Sequence, residues 1–252
     1  MADEQAHYLE LATPNGETIR ILKLAHPRSR RLRLTVTARG ARLSCPQGTH
    51  PAQVFAFLRK HADWLERKLD QLQLEGPAPP LEPGTPTVIP LRGETTPLLW
   101  CDGAFPGIAH GDQGVVLTLP AAPASRALPA ARALLRSFLE AQIRRDVSRL
   151  LARYTGELNA APTAIQVRPL KSLWGSLDTR DRVTLDLALA LAPPLALRYV
   201  TLHELCHLRI RNHSPRFWKL VGSLMPEWPA QRAWLRDRGQ ALKAELARLI
   251  GA

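Results

Sequence analysis

The stretch Tyr199-Val-Thr-Leu-His203-Glu204-Leu-Cys-His207 leaves its backbone little choice. On a helix His203 and His207 come together on one side, because residues four apart sit one above the other with Cβ atoms about 5–6 Å apart. Two imidazoles so placed converge on one ion at the ~2.0–2.1 Å of a Zn–N bond. Glu204 follows His203 directly and points about 100° away round the helix. It is badly placed as a third ligand and well placed to hold a water beside the ion. H-E-x-x-H alone is a weak signal, since two ordinary histidines on one helix give the same letters.

The flanking residues strengthen it. Ala192-Pro193-Pro194-Leu195 reads as a helix start, with prolines in the first turn where the backbone N–H is not needed. His213 lies beyond His207, where the helical pattern runs out. Asn212 tolerates a left-handed conformation and Pro215 cannot continue a helix without cost. A turn here would swing His213 back toward the ion. Three protein ligands plus a water is the composition of a catalytic rather than a structural zinc site.

Three further segments join the motif: Lys171-Ser-Leu-Trp174-Gly175-Ser176, Leu191-Ala-Pro-Pro, and Asn212-His213-Ser-Pro-x-Phe217-Trp218. Together they resemble the YgjP-like metallopeptidases, relatives of the SprT/Spartan zinc peptidases. The likeness is dense over about residues 165–230 and looser toward the N-terminus. It implies a zincin-like domain holding one Zn²⁺ per chain, with His203, His207 and His213 as ligands and Glu204 as catalytic base. The family often carries Cys after Trp-Gly-Ser, and Leu177 stands there instead. Two other zinc schemes compete. The spacing from His207 to His213 is that of the metzincins, but Ile210 replaces their turn glycine and is unsuited to positive φ. Met225 then reads as core rather than as a Met-turn. A glutamate third ligand would come from Glu227 or Glu245, neither of which carries a supporting motif, so His213 is preferred. Cys206 and Tyr199 flank the histidines; Cys206 reads as a small core residue, and Tyr199 as a group bonded near the site or covering it.

The chain of 252 residues is long enough for one large or two small domains. No apolar run approaches the ~18 residues of a membrane span, and the polar Met-Ala-Asp-Glu start is unlike a signal peptide. Three scattered cysteines (Cys45, Cys101, Cys206) are no disulfide framework, and a cytoplasmic location follows. Lys+Arg number 34 against 22 Asp+Glu, a net charge of +12 that favours acidic partners.

Taken in order, residues 17–24, 31–37 and 41–45 alternate as half-buried strands do. Arg28, Arg30, Arg31, Arg33, Arg39 and Arg42 cluster on these strands and turns, as a solvated face or, more sharply, a nucleic-acid phosphate-binding face. A helix is expected over about 51–74, with His61 packed on its apolar stripe, then a Pro-rich connector over 75–87. Short strands at 87–91, 97–101 and 115–119 precede a long amphipathic helix from Pro129 to about Leu158. Ala164–Arg168 and Arg182–Leu187 read as strands flanking Trp174-Gly175, the second as an edge that aligns an extended peptide. Short and long helices follow around Phe217–Leu224 and Pro229–Ile250, and no internal repeat is visible.

These readings amount to an α+β chain: a mainly β N-terminal region with one inserted helix over 1–125, then a zincin-like domain over 126–252. The chemistry they imply is peptide-bond hydrolysis, in which Glu204 takes the proton of an activated water and returns it to the leaving amine. The alternatives of another class are a metal-free binding module, and a nucleic-acid-associated zinc protein whose basic N-terminal face carries the main function.

Overall fold

The computed structural model describes residues 7–12, 18–27, 29–37, 40–75 and 79–251. They form two compact units that divide at Pro79/Pro80.

The first unit opens with four strands: β1 (His7–Ala12), β2 (Thr18–Ala25), β3 (Arg33–Thr37) and β4 (Gly40–Cys45). Their order is β1-β2-β4-β3, with β2 and β4 parallel and the outer pairs antiparallel. The period of two puts Ile19, Ile21, Ala41, Leu43 and Val36 on one buried face. Helices α1 (Pro51–Lys60) and α2 (Ala62–Glu75) complete this core through Val54, Leu58 and Leu65. The single helix expected over 51–74 is thus interrupted at His61. Its Nδ1–H donates to the Phe57 carbonyl at 2.8 Å and its ring lies 4.3 Å from that of Phe57, so it is the packed histidine the sequence suggests. Strand β1, with Leu9 and Leu11 turned to the core between exposed Tyr8, Glu10 and Ala12, is not among the strands expected from the sequence.

The second unit begins with β5 (Thr87–Leu91), β6 (Glu94–Asp102), β7 (Gly107–Gly111) and β8 (Gly114–Leu119). The order β5-β6-β8-β7, with β6 and β8 parallel, repeats the topology of the first sheet. A helix follows each sheet, so a four-strand-plus-helix arrangement occurs twice without any repeat in the letters. Here the helix is α3 (Ala124–Leu158), which starts before Pro129 and carries it inside. Its stripe of Leu135, Phe138, Leu139, Ile143, Val147 and Tyr154 is buried as the spacing predicts.

A third, three-stranded sheet follows: β9 (Ala164–Arg168), β10 (Gly175–Leu177) and β11 (Arg182–Asp186), in the order β10-β11-β9. β11 is therefore the central strand, parallel to β9 and antiparallel to β10. The edge nearest the motif is β10, not Arg182–Leu187. Three helices complete the unit: α4 (Pro194–His207), α5 (Pro215–Leu224) and α6 (Trp228–Ile250).

The division at Pro79/Pro80 is earlier than the expected 125/126, and packing gives the reason. Ile89, Leu98, Val115 and Leu117 belong to the same hydrophobic core as α3, β11 and α4. The β5–β6 turn is stitched to the chain just before α4: Arg92 N–H donates to Ala190 O at 2.9 Å and Gly93 N–H to Leu191 O at 3.0 Å. A Cβ on Gly93, which has φ +81°, would lie 2.8 Å from Pro193. Even Leu81 in the Pro-rich connector is buried in this core. Among the described residues no helix is long and apolar enough to cross a membrane.

Candidate metal centre

His203 and His207 occupy the last two turns of α4, and the chain leaves the helix at Leu208. Residues 208–214 then turn back and carry His213 to the pair. Its Nε2 lies 2.9 Å from His203 Nε2 and 3.2 Å from His207 Nε2. The ligand atoms of all three lie within 4.8 Å of one another. Ligands about 2.0–2.1 Å from a tetrahedral ion stand roughly 3.3 Å apart, so the cluster has the dimensions of a metal site. The donor set fits as well. His207 Nδ1–H donates to the Ile210 carbonyl at 2.9 Å, which leaves its Nε2 lone pair free to face the other rings. Burial pushes the His203 imidazole down to about 3, and His213 is lowered too, first by burial and then by His207. Neutral imidazoles are the form that ligates. His203 Nδ1 is buried without a hydrogen-bond partner among the described residues.

Aromatic rings fix the three imidazoles. Phe217, fully buried, stacks on His207 with centroids 4.4 Å apart and meets His203 edge-on at 4.9 Å. Trp218 lies parallel to His213 at 5.6 Å and itself stacks on Trp228 at 4.5 Å. Tyr199 meets His203 edge-on at 5.9 Å. Its hydroxyl is pushed up by burial, against the pull of the Arg232 guanidinium.

Glu204 is buried, and burial raises its carboxyl to about 7 while the Leu177 backbone N–H acts the other way. The approach of β10 is unusually close: a Cβ on Gly175 would lie 2.8 Å from both Cγ and Oε1 of Glu204. Glycine at the second position of Trp174-Gly175-Ser176 is therefore required by contact with Glu204.

The profile described as "YgjP-like, metallopeptidase domain" matches residues 30–238. The chain belongs to the YgjP-like metallopeptidases. It is a peptidase, a hydrolase of the metal-dependent class. Among solved structures it is similar to the metallopeptidase zymogen of Pyrococcus abyssi abylysin, at 26% identity over 37% of this chain and 93% of that one, TM-score 0.33. The zymogen of Methanocaldococcus jannaschii jannalysin is 20% identical over 37% of this chain and 89% of that one, TM-score 0.34. No curated protein matches the chain significantly.

Within this YgjP-like chain the remaining expected residues separate clearly. Glu227 is engaged by Arg198 at 3.1 Å and Glu245 by Arg248 at 2.9 Å, and neither joins the histidines. Cys206 is buried, its thiol pushed up by burial to about 12, so it stays protonated core. Met225 is fully buried, as core. Leu177, where the family often has Cys, reaches Glu204 through its backbone N–H instead. Arg30, Arg31, Arg33 and Arg42 are exposed in the first unit; Arg28 and Arg39 lie outside the described residues.

Sequence reasoning missed two residues of the site region. Lys243 on α6 pairs with the buried Asp186 at the end of β11 and lies 4.6 Å from the Trp174 ring centroid. Arg232, also on α6, faces the histidines across Trp218. Neither carries a local signal, because the helix that presents them is remote in sequence from the motif.

Proposed function

We propose that the chain is a zinc peptidase in which His203, His207 and His213 hold one Zn²⁺ and Glu204 is the general base. The observation that carries this reading is the convergence of three imidazole nitrogens at 2.9 and 3.2 Å, with one tautomer fixed by Ile210. When bound, zinc supplies Lewis acidity, activating water near neutral pH and polarising the scissile carbonyl. Glu204, buried beside the cluster, accepts the proton of the attacking water and hands it to the leaving amine. Its carboxyl, raised by burial, suits both directions of transfer. β10, an edge strand of the third sheet whose Gly175 touches Glu204, aligns an extended peptide by strand addition. The three cysteines are free, in keeping with a reducing, cytoplasmic setting.

Elemental analysis tests the ligand set. Wild type dialysed with zinc is expected to hold one equivalent, and His213→Ala to bind it at least about tenfold more weakly. Undiminished affinity in the variant removes His213 from the set.

A second reading, nucleic-acid association through the N-terminal unit, is favoured by the outer face of its sheet. Strand register puts Arg20, Arg33 and Arg42 on that face together with Tyr8, whose ring lies 4.6 Å from the Arg20 guanidinium. Cations interleaved with an exposed aromatic ring suit a phosphate backbone with unstacked bases. Labelled DNA titrated over a range of salt is expected to show log affinity falling linearly, with a slope of about −0.9 per phosphate contact on duplex. Reversing Arg31 and Arg33 to Glu flattens the slope. Absence of binding at low salt leaves these arginines as a solvated face.

A further inference from the structure

Beside the histidines lies a cleft of about 320 Å³, whose lining includes Trp174, Val200, Leu235, His203 and Glu204. Its opening carries Arg232 and Arg236, one turn apart on the same face of α6. The two arginines differ in what they already satisfy. Both are exposed, and Arg236 donates to the neighbouring Asp237 carboxylate at 2.8 and 3.3 Å. Arg232 makes no ion pair among the described residues; its guanidinium carbon lies 5.0 Å from the Trp218 ring centroid. Trp218 in turn stacks with His213 and with Trp228. The guanidinium thus rests against an aromatic ring at the cleft, and its N–H donors have no protein acceptor among the described residues.

The acid of the cleft is Glu204, which the proposed reaction requires for proton transfer. A peptide side chain entering the cleft covers apolar walls and draws water from a cation that has no structural counter-charge. Removing water from an unpaired cation is unfavourable unless the entering group brings an anion. A neutral side chain would leave the guanidinium uncompensated; a carboxylate would meet it in the two-pronged geometry that arginine favours.

We propose that this cleft is a substrate subsite for a carboxylate, supplied by an Asp or Glu side chain or by the free C-terminus of the peptide, with Arg232 as its counter-charge. The proposal rests on the peptidase reading above and deepens it by naming the substrate class. Arg232 lines the same cleft as His203 and Glu204, so a carboxylate it holds lies beside the reacting groups.

The test separates the subsite from the chemistry. A random peptide library, acetylated and amidated, is passed over immobilised zinc-loaded Glu204→Gln protein, and the retained peptides are sequenced by mass spectrometry. Peptides with Asp or Glu are expected to be enriched about ten- to a hundredfold over their Asn and Gln counterparts, the range for losing a hydrogen bond to a charged group. The same library with free C-termini shows whether the terminal carboxylate is captured in addition. Adding Arg232→Gln is expected to abolish the enrichment, and Arg232→Lys to keep part of it. Equal retention of acidic and neutral peptides, or enrichment indifferent to Arg232→Gln, overturns the subsite.

Wild-type enzyme then hydrolyses matched Glu and Gln peptides chosen from the retained set. Arg232→Gln is expected to lower kcat/KM about tenfold or more on the Glu peptide and by less than about twofold on the Gln peptide. Equal loss on both overturns the proposal, since Arg232 would then act on every substrate. Enrichment without any hydrolysis by wild type would instead sink the peptidase mechanism and leave the carboxylate site standing.

Discussion

Glu204→Gln is expected to keep its metal and to lose hydrolysis by about a thousandfold, the middle of the range for a positioned general base. Glutamine is close to isosteric with glutamate, so the buried slot beneath Gly175 still accommodates it. The histidine nitrogens meet 2.9 and 3.2 Å apart without any contribution from Glu204, so the ion-binding geometry is undisturbed. What the variant lacks is a group able to take a proton. Elemental analysis and hydrolysis of a peptide library, measured on the same preparation, decide the matter. Activity within a few-fold of wild type would remove Glu204 as base; loss of metal together with activity would make it a ligand. Gly175→Ala is the companion variant. Its methyl group would lie 2.8 Å from Glu204 Cγ and force the carboxylate aside. It too should hold metal, while activity falls about a hundredfold, as for a misplacement of around 1 Å.

How much of this was legible in the letters depends on the range of each interaction. His203 and His207 were readable because four residues on a helix fix their relation locally, and Asn212 with Pro215 marked where the chain turns back. The long stripe of α3 was readable for the same reason. The matching order of the two four-stranded sheets was not. Strand neighbours such as β2 with β4 are set by parallel pairing across intervening chain, which alternation does not report. The boundary at Pro79 was hidden because short strands carry no mark of the core they will join; their buried faces go to α3 and α4. The letters of β11 do not mark it as central, because that position depends on β9, paired in parallel across α-helix-free connecting chain. The need for glycine at 175 comes from a residue 29 positions later, Glu204, and Arg232 reaches the site from another helix altogether. Patterns local to one element were visible, and contacts between elements were not.

The largest stability effect is expected at another of those hidden contacts, the Asp186–Lys243 pair. Asp186 is only 1% exposed. Its carboxylate accepts from the Ala188 N–H at 3.1 Å, capping the short 3-10 helix Leu187–Ala190, and from the Leu170 N–H at 3.3 Å. Lys243 Nζ donates to the same carboxylate and to the carbonyls of Leu170 at 2.6 Å and Leu173 at 3.1 Å. One ammonium thus ties α6 to the segment that leads into Trp174 and Gly175. Gly239, a turn earlier on α6, lets Trp174 approach: a Cβ there would lie 2.5 Å from its ring. Lys243→Met keeps the apolar stem but leaves a buried carboxylate with two N–H donors and no counter-charge, at a cost of about 3–5 kcal/mol. Asp186→Asn added to it retains an acceptor for both N–H groups and removes the stranded charge, so the double variant should recover part of the loss. Urea unfolding at fixed zinc, followed by tryptophan fluorescence, reads this directly. All tryptophans except Trp64 lie in the second unit, so the signal reports the part where the pair sits. The expected result is a lower midpoint at unchanged slope for Lys243→Met, and an intermediate one for the double variant. A shift in Lys243→Met worth less than about 1 kcal/mol, the scale of an exposed pair, would show that Asp186 is satisfied by its backbone donors alone.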